Sequence, residues 1–382
     1  MEILSLSPET NWRALMEKLN VDQGGIAIME RKSSMHHLLI RGISSPAANI
    51  LKQDALSVGA EVAVAAGVVS CEVETSDALL MATEKQLRLL ARKELAQPYG
   101  LKELGRKLSM LLMKPKDEKI RLMGVVNVNS DSFYAQSRSG VDEIVSRAAA
   151  MIEDGADIID IGAVSSRPGS LYPGIEEEMR RLHPVVLALE AAGLINEAIF
   201  SLDSFAPTAI EFALDHGFRM INDITGCNDP AVARLAARYD AELVIMHMKG
   251  VPKTMQIAPT YDDLLSEITN FFTERIARAQ AEGARKIILD VGIGFGKELE
   301  HNLMLIKHLG HFKHFQLPLL IGASRKSMIN AIIPAAIEER LPGTLALHQK
   351  ALDAGATIIR AHDVKEHKQM IEVWKALKNT LI

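Results

Sequence analysis

The stretch 286–297, KIILDVGIGFGK, shows the pattern that decides the fold of this chain. A short apolar run ends in an aspartate, a glycine-containing turn follows, and a helical pattern begins soon after it. Seven other short apolar runs are likewise followed by a helical pattern, in which apolar residues recur at three- and four-residue spacing. The eight runs are RLMGVVNVN (121–129), DIIDIG (157–162), AIFSLDS (198–204), RMINDI (219–224), AELVIMH (241–247), KIILDVG (286–292), LPLLIG (317–322) and ATIIRAH (356–362).

A series of eight strand-like runs, each followed by a helix-like segment, predicts a (β/α)8 barrel. The series occupies residues 119–382, and a length of about 260 residues is usual for this fold. Several of the helical segments end in glycine, as a helix C-cap does. An open, doubly wound parallel sheet is the competing architecture, because periodicity alone does not establish that a sheet closes.

Residues 1–115 have a different organisation and predict a small α/β domain in front of the barrel. They open with an amphipathic helix, WRALMEKL (12–19), followed by two strand-like runs, GGIAIME (24–30) and HHLLIRG (36–42). The other predicted helices lie near 45–60 and 84–112. Further candidates for strands are VGAEVAVAAGVVSC (58–71) and ALLMAT (78–83). The charged connector to the barrel is LLMKPKDEK (111–119).

The composition excludes several classes of protein. The 382 residues are 48% hydrophobic and 24% charged, as in globular proteins with a large buried core. A net charge of −5 and a pI near 6.2 argue against nucleic acid as the main partner. The two cysteines, Cys71 and Cys227, form no CxxC pair and fit a reducing compartment. Because the sequence shows neither a signal-peptide pattern nor an uncharged apolar run of about 18 residues, we expect a cytoplasmic protein without a membrane partner.

Polar residues stand at the end of nearly every predicted strand. In a (β/α)8 barrel these ends, and the loops that follow them, form the active site. A single residue of this kind would be explained by a strand cap or a core hydrogen bond, but an unpaired buried polar group costs about 1–3 kcal/mol, so a whole series requires a reason. The series predicts a polar pocket at the barrel mouth. Its members are Asn127, Asp160, Asp203, Asn222, Asp223, His247, Asp290, Ser324, Arg325, Lys326, Arg360 and His362.

The chemistry of this pocket divides into two parts. Carboxylates and an amide suit a flat heterocycle that presents several N–H donors, and they come from Asp203, Asn222 and Asp290. Cationic donors suit phosphate or carboxylate oxygens, and they come from Arg167, Lys326, Arg360 and His362. The sequence therefore predicts a ligand with an N–H-rich ring at one end and an anion at the other, with Lys326 able to bridge the two parts.

Two loops of the barrel are long, rich in small residues and charged, as loops that close over a substrate often are. They are NVNSDSFYAQSRSG (127–140) and GAVSSRPGS (162–170), and the alternative is that they are ordinary solvated connections. The turn GIGFGK (292–297) has the appearance of a phosphate loop but matches neither GxGxxG nor GxxxxGK followed by Ser or Thr. We therefore predict that Phe295 forms an apolar wall for a ring and that no nucleotide binds there.

The strand-end motifs resemble those of the dihydropteroate synthase family, and the resemblance covers residues 119–382. MGVVNVNSDSF (123–133) resembles the family's first-loop motif NVTPDSF, and DIIDIGAVSSRPGS (157–170) resembles its second-loop motif, which ends in STRPG. The family's fold, a (β/α)8 barrel, agrees with the strand count. The remaining motifs follow in the family's order: SLDS (201–204), INDITG (221–226), VIMHMKGVPKTMQ (244–256), ILDVGIGFGK (288–297), IGASRKS (321–327) and IIRAHDV (358–364).

This resemblance implies a transferase of folate biosynthesis. Its substrates would be 6-hydroxymethyl-7,8-dihydropterin diphosphate and 4-aminobenzoate, and its products would be 7,8-dihydropteroate and diphosphate, with Mg2+ as the cofactor. In such a reaction Mg2+ and cationic donors neutralise the diphosphate leaving group. Closed loops keep water away from the position that the amine takes. The resemblance also implies a homodimer.

Position by position, the resemblance assigns residues of this chain to three parts of the site. The residues implied to hold the pterin ring are Asp203, Asn222, Asp290 and Lys326, with Met246 and Phe295 as apolar walls. Those implied to order the second loop and the aminobenzoate pocket are Ser166, Arg167 and Ser324. The diphosphate is implied to lie against Asn127, Arg360 and His362, with Asn127 as the Mg2+ ligand. Catalytic roles fall to Asp131, Arg167 and Lys326, and Asp131 would shield the cationic intermediate.

The chain departs from the family pattern mainly in the two loops. Asn129 and Ser130 replace Thr-Pro in the first loop, which removes the fixed φ of proline. Ala163 and Val164 replace Gly-Glu in the second loop, so a carboxylate is lost. Val291 follows the aspartate where the family usually has proline. These changes bear on turnover and sulfonamide binding more than on pterin binding, because the pterin positions are all kept.

Two other functions remain open. A methyl-transferring pterin domain that serves corrinoid proteins would share the barrel and the Asp and Asn contacts, but it would not need the anion-binding residues of SRK (324–326) and RAHDV (360–364). A divergent paralogue could bind pterin without forming product, since its loops are altered. Residues 1–115 match an extension present in long synthases, and no catalytic constellation in them assigns a role.

Overall fold

A computed structural model describes residues 3–113, 119–128, 138–165 and 169–381 of the chain. The chain divides into two compact units. The N-terminal unit consists of Met1–Lys114 and Lys375–Ile382, and the barrel unit consists of Pro115–Trp374. No helix in the described part of the chain has both the length and the apolar character that a membrane span requires.

The N-terminal unit contains a three-stranded antiparallel sheet of order β1-β3-β2. Its strands are β1 (Met35–Ser44), β2 (Glu61–Val64) and β3 (Thr75–Thr83). Its helices are α1 (Trp12–Lys18), α2 (Gln23–Met29), α3 (Ser45–Ser57), α4 (Glu84–Glu94) and α5 (Leu101–Leu111). Alternate residues of β3 are buried, because one face of the sheet packs on helices. The core includes Leu51, Leu80, Leu87 and Leu90, all fully buried.

The prediction of a strand at GGIAIME was wrong, because this segment forms α2. Asp22 caps the helix, and its side chain accepts a hydrogen bond from the N–H of Gly25 at 2.9 Å. A strand with one buried face would place Ile26 and Ile28 on the same side of a sheet. In the structure Ile26 is fully buried and Ile28 is 55% exposed, as two residues 200° apart on a helix can be.

The predicted helical stretch near 84–112 holds two helices rather than one. A capping box between Thr83 and Gln86 begins α4. Between the two helices lie Pro98 and Gly100, and Gly100, the N-cap of α5, has a φ of +82°. The opening helix and the strand at HHLLIRG were predicted correctly, and both further strand candidates contain strands, β2 and β3.

The barrel unit confirms the predicted fold class and excludes an open sheet. Eight parallel strands close in the order β10-β11-β4-β5-β6-β7-β8-β9. Each strand lies within one of the eight apolar runs of the sequence. The strands are β4 (Arg121–Asn127), β5 (Ile158–Gly162), β6 (Ile199–Asp203), β7 (Met220–Asp223), β8 (Glu242–Met246), β9 (Lys286–Asp290), β10 (Leu319–Ile321) and β11 (Ile358–Ala361).

Helices pack around the outside of these strands. They are α6 (Arg138–Glu153), α7 (Ile175–Ala191), α8 (Pro207–Asp215), α9 (Pro230–Arg238), α10 (Leu264–Ala281), α11 (Leu299–Lys307), α12 (Ser327–Ile332), α13 (Leu341–Asp353) and α14 (Val364–Asn379). The apolar layer between strands and helices includes the buried rings of Phe200, Phe218, Phe272 and Phe312. Short 3-10 helices lie at Glu30–Lys32, Ala66–Val68, Leu194–Asn196, Leu309–Phe315 and Ile337–Arg340.

A second, separate apolar cluster fills the interior of the barrel. It takes side chains from seven strands, and Ile199 of the eighth packs against it. This layer closes the barrel below the carboxyl ends of the strands, so any pocket lies above it. Its members are Met123, Ile158, Met220, Val244, Ile288, Leu320 and Ile358.

Candidate active site

The next interior layer toward the carboxyl ends of the strands contains mostly polar residues. Side chains alternate along a strand, so a residue two positions after an interior one also points inward. The positions of this layer are Val125, Asp160, Ser201, Asn222, Met246, Asp290, Gly322 and Arg360, and Asn127 and Asp203 lie one step higher. The predicted strand-end residues therefore include a set that converges within the barrel mouth.

Arg360 joins three strands within this layer. Its Nε donates to Oδ2 of Asp160 at 2.7 Å, and its Nη2 donates to Oδ2 of Asp203 at 3.0 Å. Nδ2 of Asn222 donates to the same Asp160 oxygen at 2.9 Å. Asp160 is fully buried, and within the described residues its Oδ1 has no hydrogen-bond partner. The arginine that was predicted for the anion end thus also holds Asp203 of the ring end, together with Asp160.

Lys326 lies between the carboxylate-bearing end of β9 and an aromatic ring. Its Nζ donates to the carbonyl oxygen of Ile293 and stands 4.7 Å from the centroid of the Phe295 ring. Oδ1 of Asp290 accepts from the N–H of Gly292 at 2.7 Å. Cγ of Met246 lies 3.3 Å from the point where a Cβ on Gly292 would stand. The residues predicted for one side of the pterin pocket are therefore brought together around one turn.

Burial shifts the pKa values of Asp203, Asp290 and Lys326 toward neutrality. It raises the pKa of the Asp203 carboxyl to about 7, against the opposing effect of Arg360. Burial also raises the pKa of Asp290, which Lys326 opposes. It lowers the pKa of the Lys326 ammonium to about 8, although Asp290 acts in the other direction. Groups of this kind can accept or donate a proton to a bound ring near neutral pH.

The turn 292–297 packs closely on the main chain that follows β8. A Cβ at Gly292 would lie 2.0 Å from the carbonyl oxygen of His247, and a Cβ at Gly296 would lie 2.2 Å from that of Lys249. These glycines have φ values of +67° and +62°. Only glycine allows both this close approach and this backbone conformation.

Lys297 is a residue of this turn that the sequence analysis missed. It is 3% exposed, and its Nζ donates to Nδ1 of His247 at 2.9 Å and to the carbonyl oxygens of Gly292 and Phe295, each at 3.0 Å. Because these acceptors surround the ammonium group, Lys297 fastens the turn to β8. The sequence does not show whether Lys297 has this structural role or binds an anion.

Two of the strand-end residues point away from the barrel interior. Asp223 accepts hydrogen bonds from the N–H groups of Thr225 and Cys227, at 2.7 and 2.9 Å, and so caps the turn after β7. His247 contacts Lys297 through Nδ1. For this pair the simple explanation, a cap or a core hydrogen bond, is sufficient.

Ser324 and His362 connect the turns that follow β10 and β11. Nδ1 of His362 lies 2.9 Å from Oγ of Ser324, and the His362 backbone N–H donates to that oxygen at 3.2 Å. Arg325 and Asp363, the neighbours of these residues in sequence, form an ion pair. Burial, assisted by Arg360, lowers the pKa of His362 to about 4, so this ring is neutral at physiological pH.

Asn127 lies beside Asp203 with Gly162 between them. A Cβ on Gly162 would stand 3.6 Å from Oδ1 of Asn127 and 3.8 Å from Oδ2 of Asp203, so the glycine leaves space next to two oxygens. Oxygen ligands of this kind suit Mg2+. Within the ranges that the structure describes, no three His, Cys, Asp or Glu side chains form a metal-binding group. A magnesium ion here would therefore need further oxygens from a bound substrate.

Several predicted residues belong to loops that the structure does not describe. Of the second loop, Ala163 is buried, its carbonyl oxygen accepts from Nη1 of Arg181 at 3.4 Å, and Val164 is half-buried. The predicted residues outside the described ranges are Asn129, Ser130, Asp131, Ser166 and Arg167.

Comparison with known proteins assigns the barrel to a family. Residues 123–362 match the family model described as "Pterin binding enzyme". Over 258 residues the chain is 43% identical to an Escherichia coli dihydropteroate synthase, covering 67% of this chain and 90% of the relative. Over 382 residues it is 37% identical to a Helicobacter pylori protein named bifunctional dihydropteroate synthase/dihydropteroate reductase, covering 100% of both chains.

Solved structures give the same relationship. A Yersinia pestis dihydropteroate synthase in complex with a sulfonamide drug aligns with a TM-score of 0.64 and 36% identity, covering 70% of this chain and 99% of that one. A Xanthomonas albilineans dihydropteroate synthase with 4-aminobenzoic acid aligns with a TM-score of 0.63 and 34% identity, covering 69% and 94%.

Proposed function

This chain belongs to the pterin binding enzyme family, and we propose that it works as a dihydropteroate synthase. The reaction joins 6-hydroxymethyl-7,8-dihydropterin diphosphate to 4-aminobenzoate and releases diphosphate. The observation that supports it most is the interior network in which Arg360 holds Asp160 and Asp203 beside Asn222. A network of this kind offers carboxylate acceptors, an amide and a cation within one pocket.

The pterin ring lies, in this proposal, across the carboxyl ends of β6, β7 and β9. Its N–H donors face the carboxylates of Asp203 and Asp290, and Asn222 presents an amide that both donates and accepts. Burial raises the pKa of both carboxyl groups because the charged forms lose hydration. Hydrogen bonds from the ring N–H groups would stabilise these charged forms. Met246 and Phe295 supply the apolar surfaces on which a flat ring packs.

The diphosphate end of the substrate lies, in this proposal, toward β10 and β11. Arg360 has five N–H donors, and only some are used by Asp160 and Asp203, so the guanidinium can also donate to phosphate oxygens. His362 and Ser324 stand at the ends of the adjacent turns. Lys326 reaches between this end and the ring, and its ammonium balances the negative charge of the leaving group.

The chemical step requires positioning and charge stabilisation rather than a covalent nucleophile. The C–O bond between the pterin methylene and diphosphate breaks, and its electron pair leaves with the diphosphate. The lone pair of the 4-aminobenzoate nitrogen forms the new C–N bond, and the nitrogen then loses a proton. In this proposal Ser166 and Arg167 serve the aminobenzoate and Asp131 shields the cationic carbon, roles that the family resemblance implies, and exclusion of water favours attack by the amine.

We propose Mg2+ as the cofactor of this reaction. Asn127 would hold it, together with diphosphate oxygens of the substrate, in the space that Gly162 leaves free. When bound, Mg2+ would neutralise the negative charge that develops on the diphosphate. In this arrangement Asn127 would supply one oxygen ligand to Mg2+, and the substrate would supply the others.

The proposal is tested by diphosphate release from the purified protein with pterin diphosphate, 4-aminobenzoate and Mg2+, each omitted in turn. Release that depends on all three, with dihydropteroate appearing in step, is the expected result. Pterin binding without release that depends on 4-aminobenzoate would contradict it and favour the divergent paralogue. Release that requires Mg2+ but no amine would instead indicate hydrolysis.

A second candidate activity concerns the whole chain. The Helicobacter pylori relative named as both a dihydropteroate synthase and a dihydropteroate reductase covers all of this chain, the N-terminal unit included. We propose that this chain also reduces 7,8-dihydropteroate, a step that adds one hydride and one proton and requires a two-electron donor such as a reduced nicotinamide or flavin. Oxidation of the donor that depends on dihydropteroate supports this activity, and its absence with both donors would exclude it.

We further propose a cytoplasmic homodimer. The family resemblance supports the dimer, and light scattering of the purified protein tests it. The two cysteines, Cys71 and Cys227, are both free, which is consistent with a reducing compartment.

A further inference from the structure

Two buried histidines outside the barrel interior connect the turns after β10 and β11. His348 lies on α13 and His367 on α14, and both are fully buried. Nε2 of His348 accepts from the backbone N–H of Ala323 at 2.9 Å. Nδ1 of His348 and Nε2 of His367 are 2.8 Å apart, and Nδ1 of His367 lies 2.6 Å from the carbonyl oxygen of Asp363.

The two ends of this hydrogen-bonded chain determine where each proton lies. A backbone N–H only donates, so Nε2 of His348 carries no proton. A carbonyl oxygen only accepts, so Nδ1 of His367 carries one. A proton on Nδ1 of His348, donated to Nε2 of His367, completes the chain. Both rings are therefore neutral Nδ1–H tautomers, and protonation of either would set two donors against each other.

The surroundings keep this pair, which we call the histidine relay, in its neutral form. Burial lowers the pKa of both rings. For His348, a charge on His367 and the ammonium of Lys326 act in the same direction. For His367, the carboxylates of Asp363 and Glu366 act in the opposite direction, but burial outweighs them.

The backbone groups at the two ends of the relay adjoin the anion side of the candidate site. Ala323 directly precedes Ser324 and lies three residues before Lys326, and Asp363 directly follows His362. Resting on the proposed function, we propose that His348 and His367 are positioning residues that hold these two turns at the spacing required to bind the diphosphate group. The relay acts from the helix side of the barrel and does not touch the substrate.

The test compares two ligands that differ only in the diphosphate: 6-hydroxymethyl-7,8-dihydropterin and its diphosphate. In the full-length His348→Leu variant, we expect affinity for the diphosphate ligand to fall about tenfold, since the buried hydrogen bond to Ala323 and the link to His367 are both lost. Affinity for the ligand without diphosphate should fall much less, because of the residues on these two turns mainly Lys326 also serves the ring. His348→Gln, whose side-chain oxygen can accept from Ala323, should recover most of the loss. His311→Gln, at a histidine that contacts Thr269, is the matched control.

Equal losses for both ligands, or no loss for either, would overturn the positioning role. If the unmodified protein bound neither ligand, the proposed function would fail and the positioning role with it. Nitrogen-15 NMR of the unmodified protein adds a readout that needs no variant. We expect protonated Nδ1 and unprotonated Nε2 on both rings at neutral pH, and an imidazolium on either ring would overturn the relay.

Discussion

The barrel unit and the N-terminal unit bury polar groups in different ways. Among the described residues, the buried polar side chains of the N-terminal unit are Ser45 and Glu94, and both oxygens of Glu94 are without a hydrogen-bond partner. Several of those of the barrel unit form networks, such as the one around Arg360. Because a buried polar network is costly unless its members are paired, a network of this kind points to a functional site. The network around Arg360 lies in the barrel mouth.

The largest expected effect concerns activity, and it separates the two ends of one strand–loop region within the barrel unit. Lys326→Ala removes the cation between the ring and anion ends of the site, and we expect turnover to fall by at least about a hundredfold. Lys286→Ala, which changes an exposed lysine at the opposite end of β9, is the control. Diphosphate release measures both. Similar turnover in the two variants would remove Lys326 from the site.

The contribution of an ion pair to the free energy of unfolding should also differ between the two units. Arg360→Met leaves the buried carboxylates of Asp160 and Asp203 without their cation, and we expect the free energy of unfolding to fall by about 3 kcal/mol. Arg106→Met breaks a surface pair with Glu103 in the N-terminal unit and should cost less than about 1 kcal/mol. Urea denaturation measures both values. Equal costs would contradict the buried network.

Two glycines with left-handed backbone provide a matched pair. Gly292→Ala places a Cβ 2.0 Å from the carbonyl oxygen of His247, whereas Gly42 has a similar φ and nothing within 4 Å of an added Cβ. We expect a cost of about 1 kcal/mol from backbone strain at Gly42 and about 2–3 kcal/mol at Gly292, where the turn must also move. Urea denaturation followed by the fluorescence of Trp12 and Trp374, one in each unit, measures both costs, and equal costs would contradict the close packing at Gly292.

The smallest expected effect comes from Glu94. Burial, with Asp54, raises the pKa of its carboxyl to about 7, so the folded state holds a proton that the unfolded state loses at lower pH. Stability from this group is therefore present in acid and is lost as the pH rises toward about 7. Glu94→Gln removes the loss, and we expect a variant about 1 kcal/mol more stable than the unmodified protein at about pH 8 and no different at about pH 4.

The Glu94 effect is followed by the fluorescence of Trp12 in a Trp374→Phe background. Glu103→Gln, at an exposed carboxylate of the same unit, is the control. A stability difference between Glu94→Gln and the unmodified protein that did not depend on pH would show that Glu94 does not titrate in this range.

The sequence predicts the barrel well because its signals are redundant. Each of the eight strands repeats one pattern, so an error at one strand would not change the fold. In the N-terminal unit each element depends on local signals alone. GGIAIME shows why this is weaker: alternation of Ile26 and Ile28 predicts a strand, whereas the cap at Asp22 specifies a helix.

Within the candidate site, the sequence locates residues but not their pairing. Strand ends predict that Asp203, Asn222 and Asp290 converge, because inward positions recur every two residues. They do not predict that Arg360 contacts Asp203, since 157 residues separate the two in sequence. Lys297 and the histidine relay are equally hidden, because buried lysine and histidine have no local pattern that distinguishes them from exposed ones.

The proposed function depends on binding of the pterin ring by the polar layer in the barrel mouth. Calorimetric titration of 6-hydroxymethyl-7,8-dihydropterin into the unmodified protein and into Asp290→Ala tests it most directly. We predict saturable binding to the unmodified protein and an affinity at least about tenfold weaker for the variant, because a buried carboxylate acceptor is lost. Equal affinity in the two proteins would contradict the claim and place pterin binding elsewhere in the molecule.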